Sequence, residues 1–531
     1  MSRRHHRAQL GVLAMLLVAC SAPPPAPDPT TTPVAADAEL DINAQPRERL
    51  RDGGLARLPL VSLPTQWNPR HPDAAEASTQ RLLAVLSPSH FTLDAAGRPS
   101  ANPDFVSGVD VQHGESTVVT LDLVDGAVWG DGGPVTAADW VAAWQVGSGQ
   151  VAGAHVLDTA GWERVKEVRA GDSPRQVVIT YAGIVPDWAE PLVAGPARAA
   201  STASAEAFSW GTPDKRHYAG PFLVAHVDKT QGLVTLERNP RWWGDQPKLE
   251  RIMFRTVQAQ AVAAAFQHNE LDVWETGTSS DRLQQTRAAS DTTLRSAPGR
   301  SGRALHVSRS GVLADVAVRR ALLLALDRTL VGPHDLADVT KPPRTWSSNL
   351  LLPTQPGYVD QARATGLGGD PDQAAKALDE AGWALESRVR VKDGQPLELT
   401  FRAERDDELA TSEFIVLADQ LARVGVRLRA VPGDADLVPV TVRVSAFPLA
   451  RLPEEMASAP GASDLVARVG AEVDPVRRAD QASQLARLLW QEVVEIPLYQ
   501  VPQFVAVRNG LANLGAPGFA TTDWEDVGWT S

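Results

Sequence analysis

The stretch from Gly114 to Trp144, GESTVVTLDLVDGAVWGDGGPVTAADWVAAW, limits the fold more than any other part of the chain. Its first half alternates, with Val119, Leu121 and Leu123 on one side and Val118, Thr120 and Asp122 on the other, the period of a half-buried strand. Glycine and aspartate then crowd into Trp129-Gly130-Asp131-Gly132-Gly133-Pro134, as a tight turn requires. Thr136 stands at an N-cap position with Asp139 three residues on, and Trp140, Val141 and Trp144 supply the apolar side of a helix. Strand, turn and capped helix form a folding unit with no catalytic group in it.

The first twenty residues have the form of an export signal. Arg3, Arg4 and Arg7 precede an apolar run from Leu10 to Ala19, which is too short to span a bilayer as a helix. That run ends Leu17-Val18-Ala19-Cys20, a pattern that resembles a bacterial lipobox, in which the cysteine is lipidated and becomes the first mature residue. Cys20 is the lone cysteine, so no intramolecular disulfide and no cysteine nucleophile in the folded body are expected. The Pro-, Thr- and Ala-rich segment after it reads as a tether, residues 21–48, holding the body off the membrane. A formal net charge of −13 argues against a nucleic-acid partner.

The spacing of Trp129, Asp131, Gly132, Thr136, Ala137 and Asp139 resembles the "W-x-DG-x-x-x-TAxD" signature of the family 5 extracytoplasmic solute-binding proteins, the peptide- and nickel-binding receptors of ABC importers. Further blocks are similar to that family. Tyr218-Ala219-Gly220-Pro221-Phe222 matches its turn before a hairpin. Arg238-Asn239-Pro240-Arg241-Trp242-Trp243, followed by Pro247 to Phe254, matches its "NPxYW…P-x-L-D-x-I-x-F" run. Asn269-Glu270-Leu271-Asp272 stands for its "GExD" segment, with an asparagine where the family has glycine. Later blocks follow suit at Asp315 to Arg328 and from Gly369-Asp370-Pro371 to Ala381-Gly382-Trp383. The tail resembles actinobacterial members, among them LpqW-like lipoproteins tied to phosphatidylinositol mannoside and lipoarabinomannan assembly.

The resemblance implies an α/β protein with the two-lobed, type II periplasmic-binding-protein-like fold, its mixed sheets arranged around a central cleft. It places one lobe at residues 49–275 plus 495–531 and the other at 276–494, with the first crossing just after Trp274 in the small, polar run from Thr276 to Asp281. It implies a lipid-anchored, extracytoplasmic, monomeric receptor that takes a small solute or oligopeptide and docks on ABC permease subunits, without a cofactor. The alternative is a role in envelope glycolipid assembly without transport.

Carried over by position, the ligand-lining residues would be Trp67 and Asn68, Trp274 and Glu275, Ser445 to Phe447, and Tyr499 at the return crossing. Trp67 reads equally as a loop tryptophan packed beside turn residues, and the Trp242–Trp243 pair, between a hairpin and a strand, reads as packing. One departure stands out. The segment from Asp434 to Pro460 is short, with no evident equivalent of the aspartate that receives a peptide's amino terminus. No HExxH, GxSxG, phosphate-loop or GxGxxG pattern occurs, and His5, His6, His71 and His113 are not spaced as metal ligands, so neither a catalytic nor a metal site is expected.

Overall fold

The computed structural model of the chain describes residues 39–336, 341–403 and 407–531. The expected signal peptide, Cys20 and the tether up to residue 38 lie outside the described residues. In the signature stretch, the strand Thr117–Leu123 buries Val119, Leu121 and Leu123 and leaves Asp122 exposed, as its alternation requires. It is the second strand of an antiparallel sheet running Val106–His113, Thr117–Leu123, Gln176–Tyr181, Val165–Ala170. Helix Ala137–Gly147 packs Trp140 into the core of that sheet.

Asp139 explains why the signature has its spacing. Its Oδ2 accepts the Thr136 backbone N–H at 2.9 Å and the Trp129 Nε1–H at 3.3 Å, while Oδ1 accepts the Ala199 N–H at 2.9 Å. One buried carboxylate thus satisfies a helix N-terminus, the turn's indole and a distant loop. Gly132 takes φ +92°, a left-handed backbone that glycine adopts without strain.

A second sheet pairs Leu55–Leu60 in parallel with Arg251–Thr256, which continues antiparallel to Leu233–Arg238 and Phe222–Asp228. The third sheet has six strands in the order Val273–Glu275, Glu495–Arg508, Thr292–Val307, Leu437–Arg443, Glu398–Arg402, Arg427–Val431, with parallel pairing confined to its last members. Helices of the second lobe begin at Asp315, Asp370, Asp407 and Asp474, each of whose side chains accepts a first-turn backbone N–H. Asn269, at the position where the resembled family has glycine, takes the left-handed φ of 61°.

The two long antiparallel strands Thr292–Val307 and Glu495–Arg508 run through both lobes. At one end Ala297, Val505 and Val507 join the core of the first lobe; at the other, Leu305, Val307, Ile496 and Leu498 join that of the second. This corrects the expected crossing after Trp274. Residues Ser280–Arg287 form a helix, and the chain crosses where the ladder slips between Pro298 and Ser301. A bulge interrupts the ladder locally, so the paired strands can bend there while the pairing on either side holds.

Ion pairs join the two lobes. Arg478, on the helix Pro475–Glu492, forms a two-pronged pair with Asp187 of the first lobe, the Nη1–Oδ1 contact at 2.8 Å. Arg451 lies 3.4 Å from Glu163 and 3.6 Å from Glu190. Phe447 packs against the core around Trp140. Among the described residues no helix is long and apolar enough to cross a membrane.

Candidate functional site

A cavity of about 1040 Å³ is enclosed by loops of the first lobe, the strand Glu495–Arg508 and the segment following it, with Arg300 reaching in from the crossing. That is at the upper end of the roughly 300–1,000 Å³ spanned by small-molecule sites. Its aromatic wall is built by a local device. Asn239 donates to the Gly220 carbonyl at 2.8 Å and accepts the Arg241 N–H at 3.0 Å, ending the strand Leu233–Arg238 so that Trp242 and Trp243 turn toward Phe105. Phe105 stacks on His90 at 4.0 Å and meets Trp243 edge-on at 5.2 Å. The Trp242 Nε1–H donates to Glu525 Oε2 at 2.8 Å, and the Trp243 Nε1–H to the Asp104 carbonyl at 2.6 Å.

The lining is charged unevenly. Arg70 donates to the Ala194 and Gly195 carbonyls and, among the described residues, pairs with no carboxylate; burial pulls it down to about 10. His90, only 3% exposed, is held down to about 3 by burial and by Arg70, so its imidazole is neutral. On the other side of Phe105 stand Asp104, Asp523 and Glu525. Desolvation and the charges of Asp245 and Asp526 push Asp104 up; desolvation, Asp526 and Asp104 push Asp523 to about 6, and desolvation, Asp104 and Asp523 push Glu525 to about 8. Among the described residues no group of three or more His, Cys, Asp or Glu could hold a metal ion.

Of the residues expected on the cleft, Asn68 and Glu275 line this cavity. Asn68 donates to the Phe208 carbonyl at 2.7 Å and accepts the Arg70 N–H at 3.0 Å, which makes it a brace for the Arg70 loop. Glu275 pairs with Arg81.

The other placements are corrections. Trp67 is 2% exposed in the core of the first lobe, its backbone fixed by Trp210 and the Tyr218 hydroxyl, so its indole is no stacking platform. Trp274 packs against Phe266 in a core of its own. Ser445 is exposed, its Oγ accepting the Phe447 N–H at 3.0 Å, and Phe447 is spent on contact between the lobes. Tyr499 is buried in the second lobe and donates to Asp335 Oδ2 at 2.9 Å.

Sequence reading missed Trp242 and Trp243 as cavity residues. Adjacent indoles were the available signal, but which face of the turn they occupy depends on Phe105 and Glu525, far away in sequence. Asp104, Asp523 and Glu525 left no signal in an acidic chain.

The family model described as "Bacterial extracellular solute-binding proteins, family 5 Middle" matches residues 103–449. The oligopeptide-binding protein OppA of Mycobacterium tuberculosis is 31% identical, the match covering 98% of this chain and 92% of that protein. The probable monoacyl phosphatidylinositol tetramannoside-binding protein LpqW of the same organism is 25% identical over 79% of this chain and 69% of its own. Among solved structures, the periplasmic EDTA-binding protein EppA superimposes with a TM-score of 0.79 at 19% identity, covering 92% of this chain and 98% of that one, a likeness of fold.

Proposed function

The chain belongs to the family 5 bacterial extracellular solute-binding proteins, and from that premise we propose that it is the lipid-anchored receptor of an ABC importer, taking a short peptide or similar polar solute into the cavity bounded by Phe105, Trp242 and Trp243. The carrying observation is that cavity's position against the strand Glu495–Arg508, one of the two that cross between lobes. A solute seated there touches the element about which the lobes turn. Any difference in its affinity for the open and closed forms passes through that element and shifts the equilibrium by that amount. The closed form is then what a permease recognises.

The sequence pattern at Cys20 supports the anchor. Lipidation there places the body on the extracytoplasmic face, and two or more acyl chains hold it firmly, each buried CH₂ contributing roughly 0.8 kcal/mol. Cys20→Ala should release the protein from membranes or leave it unprocessed; unchanged membrane fractionation removes the anchor from the proposal.

Titration calorimetry of the intact chain with peptides of three to nine residues tests the solute class. Micromolar or tighter binding of any of them supports it, and binding of none refutes it. A second reading follows from the relative LpqW and from the pair of indoles, which suits stacking on sugar rings: a role in envelope glycolipid assembly. Binding of a mannosylated phosphoinositide, with no peptide bound, selects that reading.

A further inference from the structure

We propose that residues 41–47, part of the run that reads as tether, are a strap that holds the irregular wall of the solute cavity in its binding shape, with Asp41 as the positioning residue. The proposal rests on the reading of that cavity as the solute's site and adds what sets its affinity.

The wall is the segment from Leu514 to Glu525. Leu514, Gly515, Pro517, Phe519 and the run from Ala520 to Glu525 all line the cavity. The segment lies between the short strands Leu511–Ala512 and Gly528–Trp529 and contains no helix or strand of its own. Pairing within itself cannot fix its shape, so its geometry depends on what braces it from behind.

The strap braces it at both ends. At the first end Asp41 and Ala516 exchange both backbone hydrogen bonds, at 2.9 and 2.8 Å, and the Ile42 carbonyl accepts the Leu514 N–H at 3.0 Å. The Gln45 N–H donates to Asn513 Oδ1 at 2.8 Å, and Asn513 Nδ2 donates back to the Gln45 carbonyl at 3.0 Å. At the other end Arg47 donates to the Glu525 carbonyl at 3.2 Å and pairs with Asp526. The Glu525 side chain in turn accepts the Trp242 Nε1–H, so the hold extends to the aromatic wall. Among the described residues none of the strap lines the cavity, so it reaches a solute only through the wall.

Asp41 also ties the strap to a crossing strand. Its Oδ1 accepts Arg295 Nη1 at 2.8 Å and its Oδ2 the Ser296 N–H at 3.0 Å, just ahead of the slip that follows Pro298. The fit is close. Gly515 lies outside the positive-φ region, so its backbone does not call for glycine. Space does: a Cβ there would sit 2.5 Å from Arg295 Cδ and closer still to the Asp41 carbonyl. Asn43 and Asn513, joined by a backbone hydrogen bond of 3.2 Å, take left-handed φ of 53° and 60°. Two non-glycine residues face to face in that conformation persist only where the surroundings over-determine the backbone.

The wall meets the solute on one side and the strap on the other, which couples the two. A docked strap raises solute affinity, and by linkage a bound solute holds the strap down by the same factor. The stretch leading to the proposed anchor is thereby part of the binding apparatus.

The test is hydrogen exchange and calorimetry on the intact chain, with alanine peptides of three, six and nine residues as probes. In Asp41→Ala, and in Gly515→Ala with every charge in place, exchange across residues 513–525 should quicken roughly tenfold or more while Thr117–Leu123 stays as slow as before. Affinity for a peptide that binds should fall by a similar factor at unchanged melting temperature. In the unaltered chain, saturation with that peptide should slow exchange at the Asp41, Leu514 and Ala516 N–H groups, which a purely structural contact would not do. Glu39→Ala removes an exposed pair with Lys341 ahead of the strap and should change neither reading. Unaltered exchange at 513–525 in both variants overturns the strap. Faster exchange throughout the molecule with a lower melting temperature also overturns it, because these residues would then be general core. Full peptide affinity in both variants overturns it too and leaves the solute-binding reading intact. If no peptide binds the unaltered chain, the peptide reading falls, while quickening confined to 513–525 sustains the strap and its absence overturns it.

Discussion

Arg478→Ala removes a bidentate ion pair between the lobes, and its effect follows from the structure. The guanidinium meets Asp187 through two parallel contacts and also donates through Nε to the Val469 carbonyl at 3.0 Å. Both side chains are 14% exposed. At contact distance and an effective dielectric of about 20 their attraction is about 4 kcal/mol before desolvation. Exposed pairs retain about 0–1 kcal/mol of such a figure, and truncating one member of a fully buried pair costs about 3–5 kcal/mol. In the open form both charges regain water, so the net value for closure lies between these limits, about 2 kcal/mol, or roughly 30-fold in the closed-to-open ratio.

The lobes each keep their own core, so the loss should appear in closure rather than in melting temperature. Small-angle scattering of the ligand-free protein should show a larger radius of gyration for the variant. Donor and acceptor dyes on one engineered cysteine per lobe report the same change in a Cys20→Ala background, which removes the chain's single native cysteine. A cycle of Asp187→Ala, Arg478→Ala and the double variant isolates the pair. A coupling energy below about 0.5 kcal/mol, or an unchanged radius, refutes the assignment of the latch. Arg451→Ala serves as the comparison: at 42% exposure its pairs with Glu163 and Glu190 should matter less and vanish with added salt.

Three further outcomes are expected. Trp67→Ala should cost about 3–5 kcal/mol in urea unfolding as a core truncation while leaving solute affinity per folded molecule unchanged, and a binding defect at full stability would contradict its placement. Gly132→Val should lower the melting temperature, because its φ of +92° is strained for valine and its Cβ would meet Arg241 Nη1 at 2.8 Å; about 1–3 kcal/mol is expected, and a neutral result would mean the turn relaxes. Glu525 sits at about 8, above the ordinary carboxylate value, so the folded protein holds its proton more tightly than the unfolded chain. Its contribution is complete below about pH 4.5 and is lost as pH rises through about 8, so Glu525→Gln should flatten the decline in melting temperature over that window, and parallel curves would count against the shift.

Much of the architecture was written locally. The alternation of Thr117–Leu123, the cap at Asp139, the aspartates that open the second-lobe helices and the left-handed Asn269 are each decided by a few neighbouring residues, because backbone hydrogen bonds and φ/ψ limits act over one turn. The family resemblance rested on these elements. The crossing was not local. Thr276 to Asp281 has the composition of a linker, yet the chain crosses on paired strands at Pro298–Ser301, since the partner strand comes from residues 495–508.

The cavity is less local still. Trp67 and Trp242 look alike in sequence, each beside an asparagine–proline turn. One is buried because Trp210 and Tyr218 close over it; the other faces the cavity because Glu525, 283 positions away, takes its indole N–H. A side chain's environment is fixed by what packs on it from distant parts of the chain. The sequence by itself therefore determined the strands, the caps and the family, and tertiary packing alone decided which aromatics and acids line the solute's cavity.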